Sequence, residues 1–442
     1  MEKQLPKNWT IVQLEKLGEE KYYAIGDGDH GQIKPSDYKD SGIPYIRVSD
    51  LDWGFFKEEK LVYISEEVHN KNLKSELLPG DILIAKTGAT IGKCCIVPSH
   101  IKKANTTSSV GKVSINKNLT SSKWILYYFL SPDFFKLMWS HSHRTAQPGF
   151  NIIDIKNFPV PLPPLSEQNR IVAKLDSLFS QLELIKTSMK AIPILLKNFR
   201  HQVLDKEFNQ NFKKSELKDL CLKIQDGAHH SPKITYESQL ENTFPYITSK
   251  NIRNNYMKLD NVRYVDFEFH NSIYPRCTPE LGDVLLTKDG ANTGNITLNE
   301  LNEPFSLLSS VCLIKTYKEK LLPEYLKYYF QSNVGFSELI GEMTGTAIKR
   351  IVLKKIKATQ IPVPSLEKQR EIVNRAESLF AKADAIEQKY KSLKQKIDTL
   401  PQALLHKAFK GELTERLDSD GNATELLNEI KKLKLEVKKK SK

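Results

Sequence analysis

Pro161-Leu-Pro-Pro-Leu-Ser-Glu-Gln168, followed by Ile171, Val172 and Ser177-Leu-Phe179, returns as Pro362-Val-Pro-Ser-Leu-Glu-Lys-Gln369, followed by Ile372, Val373 and Ser378-Leu-Phe380. The offset of 201 residues holds without a gap as far as Phe208 and Phe409. Behind each proline-rich opening runs an apolar seam at alternating steps of four and three. The first copy reads Ile171, Leu175, Leu178, Leu182, Ile185, Met189, Ile192, Leu196, Phe199, Val203, and the second Ile372, Ala376, Leu379, Ala383, Ile386, Tyr390, Leu393, Ile397, Leu400, Leu404. That period belongs to long helices packed along one another, and the shared offset makes the pair two copies of one design. Pro193 removes a backbone hydrogen bond and crowds the carbonyl four residues back, so a kink without termination is expected there. Pro401 should act likewise, closer to its helix end.

The flanking regions repeat more faintly. Asp27-Gly-Asp-His30 returns as Asp226-Gly-Ala-His229, and Pro44-Tyr-Ile46 as Pro245-Tyr-Ile247. Gly80, Asp81, Leu83, Lys86, Gly88 and Gly92 return as Gly282, Asp283, Leu285, Lys288, Gly290 and Gly294, and Ser108-Ser-Val110 as Ser309-Ser-Val311. Short apolar runs bounded by glycine and proline read as strands, and Trp124–Leu130 as a helix, so the repeated unit is a mixed α/β domain followed by a long helix. The expected layout is residues 1–160 and 211–361 as globular domains, 161–210 and 362–415 as long helices, and 416–442 as a basic, helical tail. Helices of about 43 residues extend roughly 65 Å. Since each begins where a globular domain ends, they should run antiparallel with one domain at each end.

The 442 residues are too many for one core. Lysine and arginine number 66 against 53 acidic residues, a net charge of +13, compatible with a nucleic-acid partner. Much of the excess sits in the lysine run that ends the tail. Five irregularly spaced cysteines, Cys94, Cys95, Cys221, Cys277 and Cys312, make no disulfide framework and point to reduced thiols in a cytoplasm. No stretch has the length and apolarity of a membrane span or the pattern of a secretory leader.

Catalytic signatures are missing. No Asn/Asp-Pro-Pro-Tyr/Phe motif or glycine-rich cofactor fingerprint occurs, and Gly88-Ala-Thr-Ile-Gly-Lys93 is one residue short of a phosphate-binding loop and reads as a turn. Glu58-Glu-Lys60 has the form of a nuclease triplet, but such triplets are common in a chain with 27% charged residues. The Asp27/His30 and Asp226/His229 pairs fit a turn in which the aspartate bonds nearby amides and glycine supplies positive φ; the competing reading presents the histidine to a phosphate or a base. What remains is a binding architecture. Lys86, Thr87, Lys93, Lys288 and Asn292 flank glycine turns; Arg47, Lys250, Asn251 and Arg253 follow the Pro-Tyr-Ile strands; Arg144, Gln147, Lys349 and Arg350 end each domain. Arginine, lysine, asparagine and glutamine are the side chains that bond base edges and phosphates. With His30 and His229 they are the candidate DNA-binding residues, and neither a catalytic nor a metal-ligating set emerges.

On these motifs, above all the Pro161–Gln168 opening and Gly80-Asp-Ile-Leu83 with Lys86-Thr-Gly-Ala-Thr-Ile-Gly92, the chain resembles the DNA specificity subunit of type I restriction-modification enzymes over nearly its full length. Ser365, Glu367-Lys368 and Pro193 depart from the pattern. The resemblance implies an α+β fold: two pseudo-symmetric mixed α/β target-recognition domains separated by two long antiparallel helices forming a coiled coil. It implies a non-catalytic subunit reading a bipartite double-stranded DNA site, one half per domain, with the helix pair setting the gap. It further implies two modification (methyltransferase) subunits and restriction (endonuclease and translocase) subunits as partners, which carry the S-adenosylmethionine, ATP and Mg, while this chain binds no cofactor. A self-sufficient DNA-modifying enzyme and a structural coiled-coil scaffold are the alternatives.

Overall fold

The computed structural model describes residues 5–21, 23–140, 149–341, 350–425 and 427–428. The chain divides into two compact units, one joining Met1–Thr187 to Leu393–Lys442 and the other comprising Ser188–Ser392.

The first unit holds a four-stranded antiparallel sheet in the order Ile25–Asp27, Val110–Val113, Ile82–Ala85, Cys94–Ile96. Every residue of Ile82–Ala85 is buried, as a continuous apolar run in a central strand requires. A second sheet runs Val62–Ile64, Ile43–Ile46, Ala104–Thr106, Glu76–Leu77, with Ile43–Ile46 parallel to Ala104–Thr106. The helix Ser122–Phe129, capped by Ser121 Oγ accepting from the Trp124 amide at 3.1 Å, buries Trp124, Tyr128 and Phe129. The second unit repeats the plan. Its antiparallel sheet is Cys221–Asp226, Val311–Thr316, Val284–Thr287, Ile296–Leu298, and its mixed sheet Arg263–Asp266, Thr243–Ile247, Ser306–Leu307.

The duplicated proline-rich motif closes each lobe. Pro159–Leu162 pairs antiparallel with Thr10–Gln13, and Gln360–Pro362 with Lys214–Glu216, each in a two-stranded ribbon where proline is tolerated. The signature glutamine then brackets the helix start. Buried Gln168 donates Nε2 to the carbonyls of Leu119 (3.0 Å) and Pro163 (2.9 Å) and accepts from Thr120 Oγ1 at 2.8 Å. Gln369 donates to Lys320 (2.9 Å) and Pro364 (3.0 Å) and accepts from the Leu322 amide. A buried amide needs every partner it can find, which is why this residue type stands at both helix starts.

The first long helix is bent. It runs Leu165–Met189 and resumes as Ile192–Phe208, with Pro193 in the first turn of the second piece. Ala191 between them keeps helical backbone angles (φ −75°, ψ −24°), so the axis bends without the chain leaving its path. The second helix is continuous over Leu366–Ala408, with Pro401 inside it. In the second unit the two segments run antiparallel: Arg200 donates to Asp384 (2.6 Å) and Glu387 (3.0 Å), whereas Arg375 pairs with Glu207 (3.3 Å). The seam is buried less evenly than its period suggests. Ile171, Leu175, Leu182, Leu196, Ile372, Ala376 and Ala383 are buried, but Ile185, Phe199, Ile386, Leu393 and Leu400 are exposed, Ile386 and Leu393 by half. Periodicity names the apolar face of a helix, and only contact with a neighbour covers it.

The expected tail helix is described at Ala423–Glu425 and Leu427–Asn428; Leu426, Ile430, Leu433 and Val437 lie outside the described residues. Asp420 ties this segment back to the first unit. Arg170 donates to both its oxygens at 2.7 Å, and Ser166 Oγ lies 3.1 Å from Oδ1. The bidentate guanidinium holds the Asp420 carboxyl down at about 2. No helix among the described residues is long and apolar enough to cross a membrane.

Candidate nucleic-acid interface

In each lobe the same end of the antiparallel sheet collects the polar residues. The first lobe brings there the end of Ile25–Asp27, the Lys86–Gly92 turn after Ile82–Ala85, and Ser108 and Ser109 before Val110–Val113. The second brings Asp226–His229, Lys288–Gly294, Ser309 and Ser310. Gly28 and Gly227 make the arrangement possible: a Cβ would stand 1.9 Å from the Thr106 carbonyl oxygen in one and 2.0 Å from that of Leu307 in the other. The glycine is therefore required by close backbone approach, not by the positive φ expected of it. The turn-forming aspartate is also a different one. Asp29, not Asp27, accepts from the amides of Gly31 (3.0 Å), Gln32 (2.8 Å) and Ile33 (3.0 Å), while Ala228 stands at the matching place.

Asp27 and Asp226 instead face buried lysines. Lys86 Nζ donates to Asp27 Oδ2 at 2.5 Å, and Lys288 Nζ lies 3.2 Å from Asp226 Oδ2. Both lysines, expected to reach a ligand from glycine turns, are buried, Lys288 at 1% exposure, because their backbones continue fully buried strands. Arg276 adds a second cation in the second lobe, donating to Asp226 Oδ1 at 2.8 Å and to its carbonyl at 2.9 Å. Burial pushes the Asp226 carboxyl up, but Arg276 and Lys288 together hold it below the ordinary carboxylate range. The outer member of each cluster is a histidine. His30 Nε2 is 3.1 Å from Asp27 Oδ1 and its side chain 72% exposed; His229 Nε2 is 3.3 Å from Asp226 Oδ2 and its side chain 54% exposed.

The other candidates divide between internal bonds and open surface. Asn251 is buried and acts as a bracket, its Oδ1 accepting from the Thr248 amide at 3.0 Å and its Nδ2 donating to the Lys258 carbonyl at 3.1 Å. Arg47 donates to the Lys60 carbonyl at 2.7 Å and to Asp50 at 3.4 Å. Lys93 pairs with Asp52 at 3.1 Å; the Asp52 carboxyl, bonded chiefly to Lys57, is held down at about 2. Arg253 donates to the Ile252 carbonyl (2.7 Å) and Asn292 to that of Ser249 (3.2 Å). Thr87 is half-buried and bridges to Gly149. Lys250 is exposed, as is Arg350, whose Nε lies 3.8 Å from Asp289. Arg144, Gln147 and Lys349 lie outside the described residues.

Some residues at this end escaped the sequence reading. Arg276 matches Lys74 on the offset that pairs Gly80 with Gly282, each an exposed cation one residue before a buried position, and neither belongs to the motifs that carry the repeat. Beside His30 a polar cleft of about 460 Å³ is lined by Gln32, Asn70, Lys71 and Lys74, which no glycine turn advertises. Cys94 and Cys95 lie in a buried strand, and burial pushes the Cys95 thiol up to about 12.

A broad apolar cleft of about 1130 Å³ sits beside the helix segments of the first unit, lined by Trp53, Phe55, Tyr127, Phe179 and Leu405. The matching place in the second unit, lined by Tyr328 and Phe380, is about 230 Å³ and takes the Arg200 side chain where the first has Pro401.

The sequence model of one family, the type I restriction modification DNA specificity domain, matches residues 6–193 and again 209–395. The chain belongs to that family. Among specificity-domain relatives, the type I restriction enzyme EcoKI specificity subunit of Escherichia coli K12 is 27% identical, the alignment covering 97% of this chain and 96% of the relative. The MjaVIII specificity subunit of Methanocaldococcus jannaschii is 25% identical over 85% of this chain and 87% of its own length. The fold is shared with the HsdS subunit from Thermoanaerobacter tengcongensis (TM-score 0.65, 19% identity, 93% of this chain and 98% of that one). A chain solved in a study of the assembly and conformational transition of the type I R-M system gives a TM-score of 0.68 at 19% identity, covering 93% of this chain and all of that one.

Proposed function

We propose that this chain is the non-catalytic DNA-reading subunit of a type I restriction-modification complex, each lobe reading one half of a bipartite duplex site. The observation that carries the reading is the duplicated sheet end: one Asp–Lys–His framework twice, set among side chains that differ between the lobes. Two readers of different half-sites need a common mount and unlike surfaces. Arg276, Lys250 and Arg350 in one lobe and Lys71, Lys74 and Asn70 in the other give such unlike surroundings. The candidate contacts are thus His30, His229 and their exposed basic and amide neighbours, with the buried lysines as supports.

The gap between half-sites is set by the long helices, of which Leu366–Ala408 has 43 residues. Linked readers gain affinity only where their separation fits both half-sites. Exposed apolar residues along the helices, among them Leu184, Ile194, Leu195 and Ile386, offer a surface to two modification (methyltransferase) subunits. Those partners bring the S-adenosylmethionine, restriction subunits bring ATP- and Mg-dependent cleavage, and the complex works in the cytoplasm.

The test is methylome sequencing of DNA modified by the partner subunits with and without this chain, then with residues 211–361 exchanged for those of a relative. The expected result is methylation at a two-part motif that depends on this chain, with one half of the motif replaced by the exchange. Unchanged target choice, or methylation by the purified chain alone, would refute the proposal.

A further inference from the structure

A carboxylate oxygen can only accept, so the ring nitrogen that faces it must carry a proton. In the first lobe that nitrogen is His30 Nε2, 3.1 Å from Asp27 Oδ1. A neutral ring then has only a lone pair at Nδ1, which can accept from a base amino group but cannot donate to a phosphate. The imidazolium donates from both nitrogens. His229 Nε2 has the same neighbour at 3.3 Å, and both rings are largely exposed. We propose that His30 and His229 contact DNA backbone phosphates as imidazoliums, so that each lobe takes up a proton when it binds. This rests on the DNA-reading function proposed above.

The charge around each ring supports a phosphate over a base. Asp27 and Lys86 cancel, Lys71 is paired with Glu67 at 2.6 Å, and Lys74 lines the cleft beside His30 together with Asp29, itself engaged by three amides. Around His229 stand Asp226, Lys288 and Arg276, an excess of one positive charge, with His230 next along the chain. Protonating either ring adds one positive charge to its cluster where backbone oxygens would lie. Lys86 and Lys288 are positioning residues: from inside the lobe each fixes the carboxylate that orients a ring outside it. Each lobe also places a basic side chain near its ring, Lys74 in the first and Arg276 in the second.

The experiment measures affinity by fluorescence anisotropy, using the methyltransferase complex containing the full chain and a labelled duplex carrying its methylome-defined site. It runs at fixed ionic strength between about pH 6 and pH 8, where imidazole is the ordinary side chain that changes charge. Wild-type affinity should fall as pH rises, by at most about tenfold per unit for each proton taken up. His30→Gln and His229→Gln should each remove part of that slope, and the double variant should flatten it. Each lost phosphate contact should also lower the slope of log affinity against log salt by about 0.9. His30→Lys should bind tightly with the first-lobe pH dependence gone. Unchanged pH dependence in the double variant overturns the inference, as does lost affinity with an unchanged salt slope, which marks a base contact. A wild-type complex that binds no duplex at any pH overturns the DNA-reading function itself, a result visible before any variant is made.

Discussion

Replacing Lys288 by methionine separates a lysine that supports the lobe from one that touches DNA. Methionine keeps most of the aliphatic stem and removes the ammonium that lies 3.2 Å from Asp226. Removing one partner of a buried ion pair costs about 3–5 kcal/mol, most of it from the charge left behind. Asp226 keeps Arg276 at 2.8 Å, so the lower end of that range, about 3 kcal/mol, is expected. In the first lobe, Lys86→Met leaves Asp27 with 19% of its side chain open to water and His30 beside it, and about 2 kcal/mol should be lost. Adding Asp27→Asn to Lys86→Met removes the stranded charge and should recover part of the loss. Urea unfolding of the full chain reads these values, and each variant should shift the transition of its own unit. Duplex affinity, measured where the chain is fully folded, should change only modestly. If Lys288→Met unfolds like wild type yet loses duplex affinity and salt dependence, the lysine reaches out of the lobe in solution and the reasoning fails.

Other outcomes follow from particular contacts. Gly227→Ala should destabilise the second unit by about 3 kcal/mol, because its Cβ would meet the Leu307 carbonyl at 2.0 Å, whereas Gly31→Ala, with open space but φ of +90°, should cost about 1 kcal/mol by thermal unfolding. Asp420 has a depressed folded-state pKa, about 2 against an ordinary 3.8, so its contribution of about 2 kcal/mol is complete above the unfolded value and lost as pH falls from about 4 to about 2. Acid unfolding of Arg170→Gln should lack that component. Arg200→Met should cost only about 1 kcal/mol, and less at high salt, since Asp384 is 66% exposed.

The sequence carried the duplication, the helix period and the bend at Pro193, because each is a local or strictly periodic property of the chain. It did not carry the fate of its charges. Lys86 meets Asp27 from 59 residues away, and nothing near either residue says that the strand between them is buried on both faces. Spacing likewise marked the apolar seam without showing that Ile386 and Leu393 stand half open. The repeat nonetheless held a usable clue. Asp and Lys recur together at Asp27/Lys86 and Asp226/Lys288 while most of the residues around them differ. A solvent-exposed pair contributes little and is free to drift, whereas a buried pair cannot lose one member without stranding the other. The lysines of the Asp–Lys pairs kept in both copies are buried while His30 and His229, kept beside them, are exposed, so joint retention marks the shared mount as a whole, and contacts to half-sites that differ should be sought among the residues the copies do not share, such as Thr87 opposite Asp289.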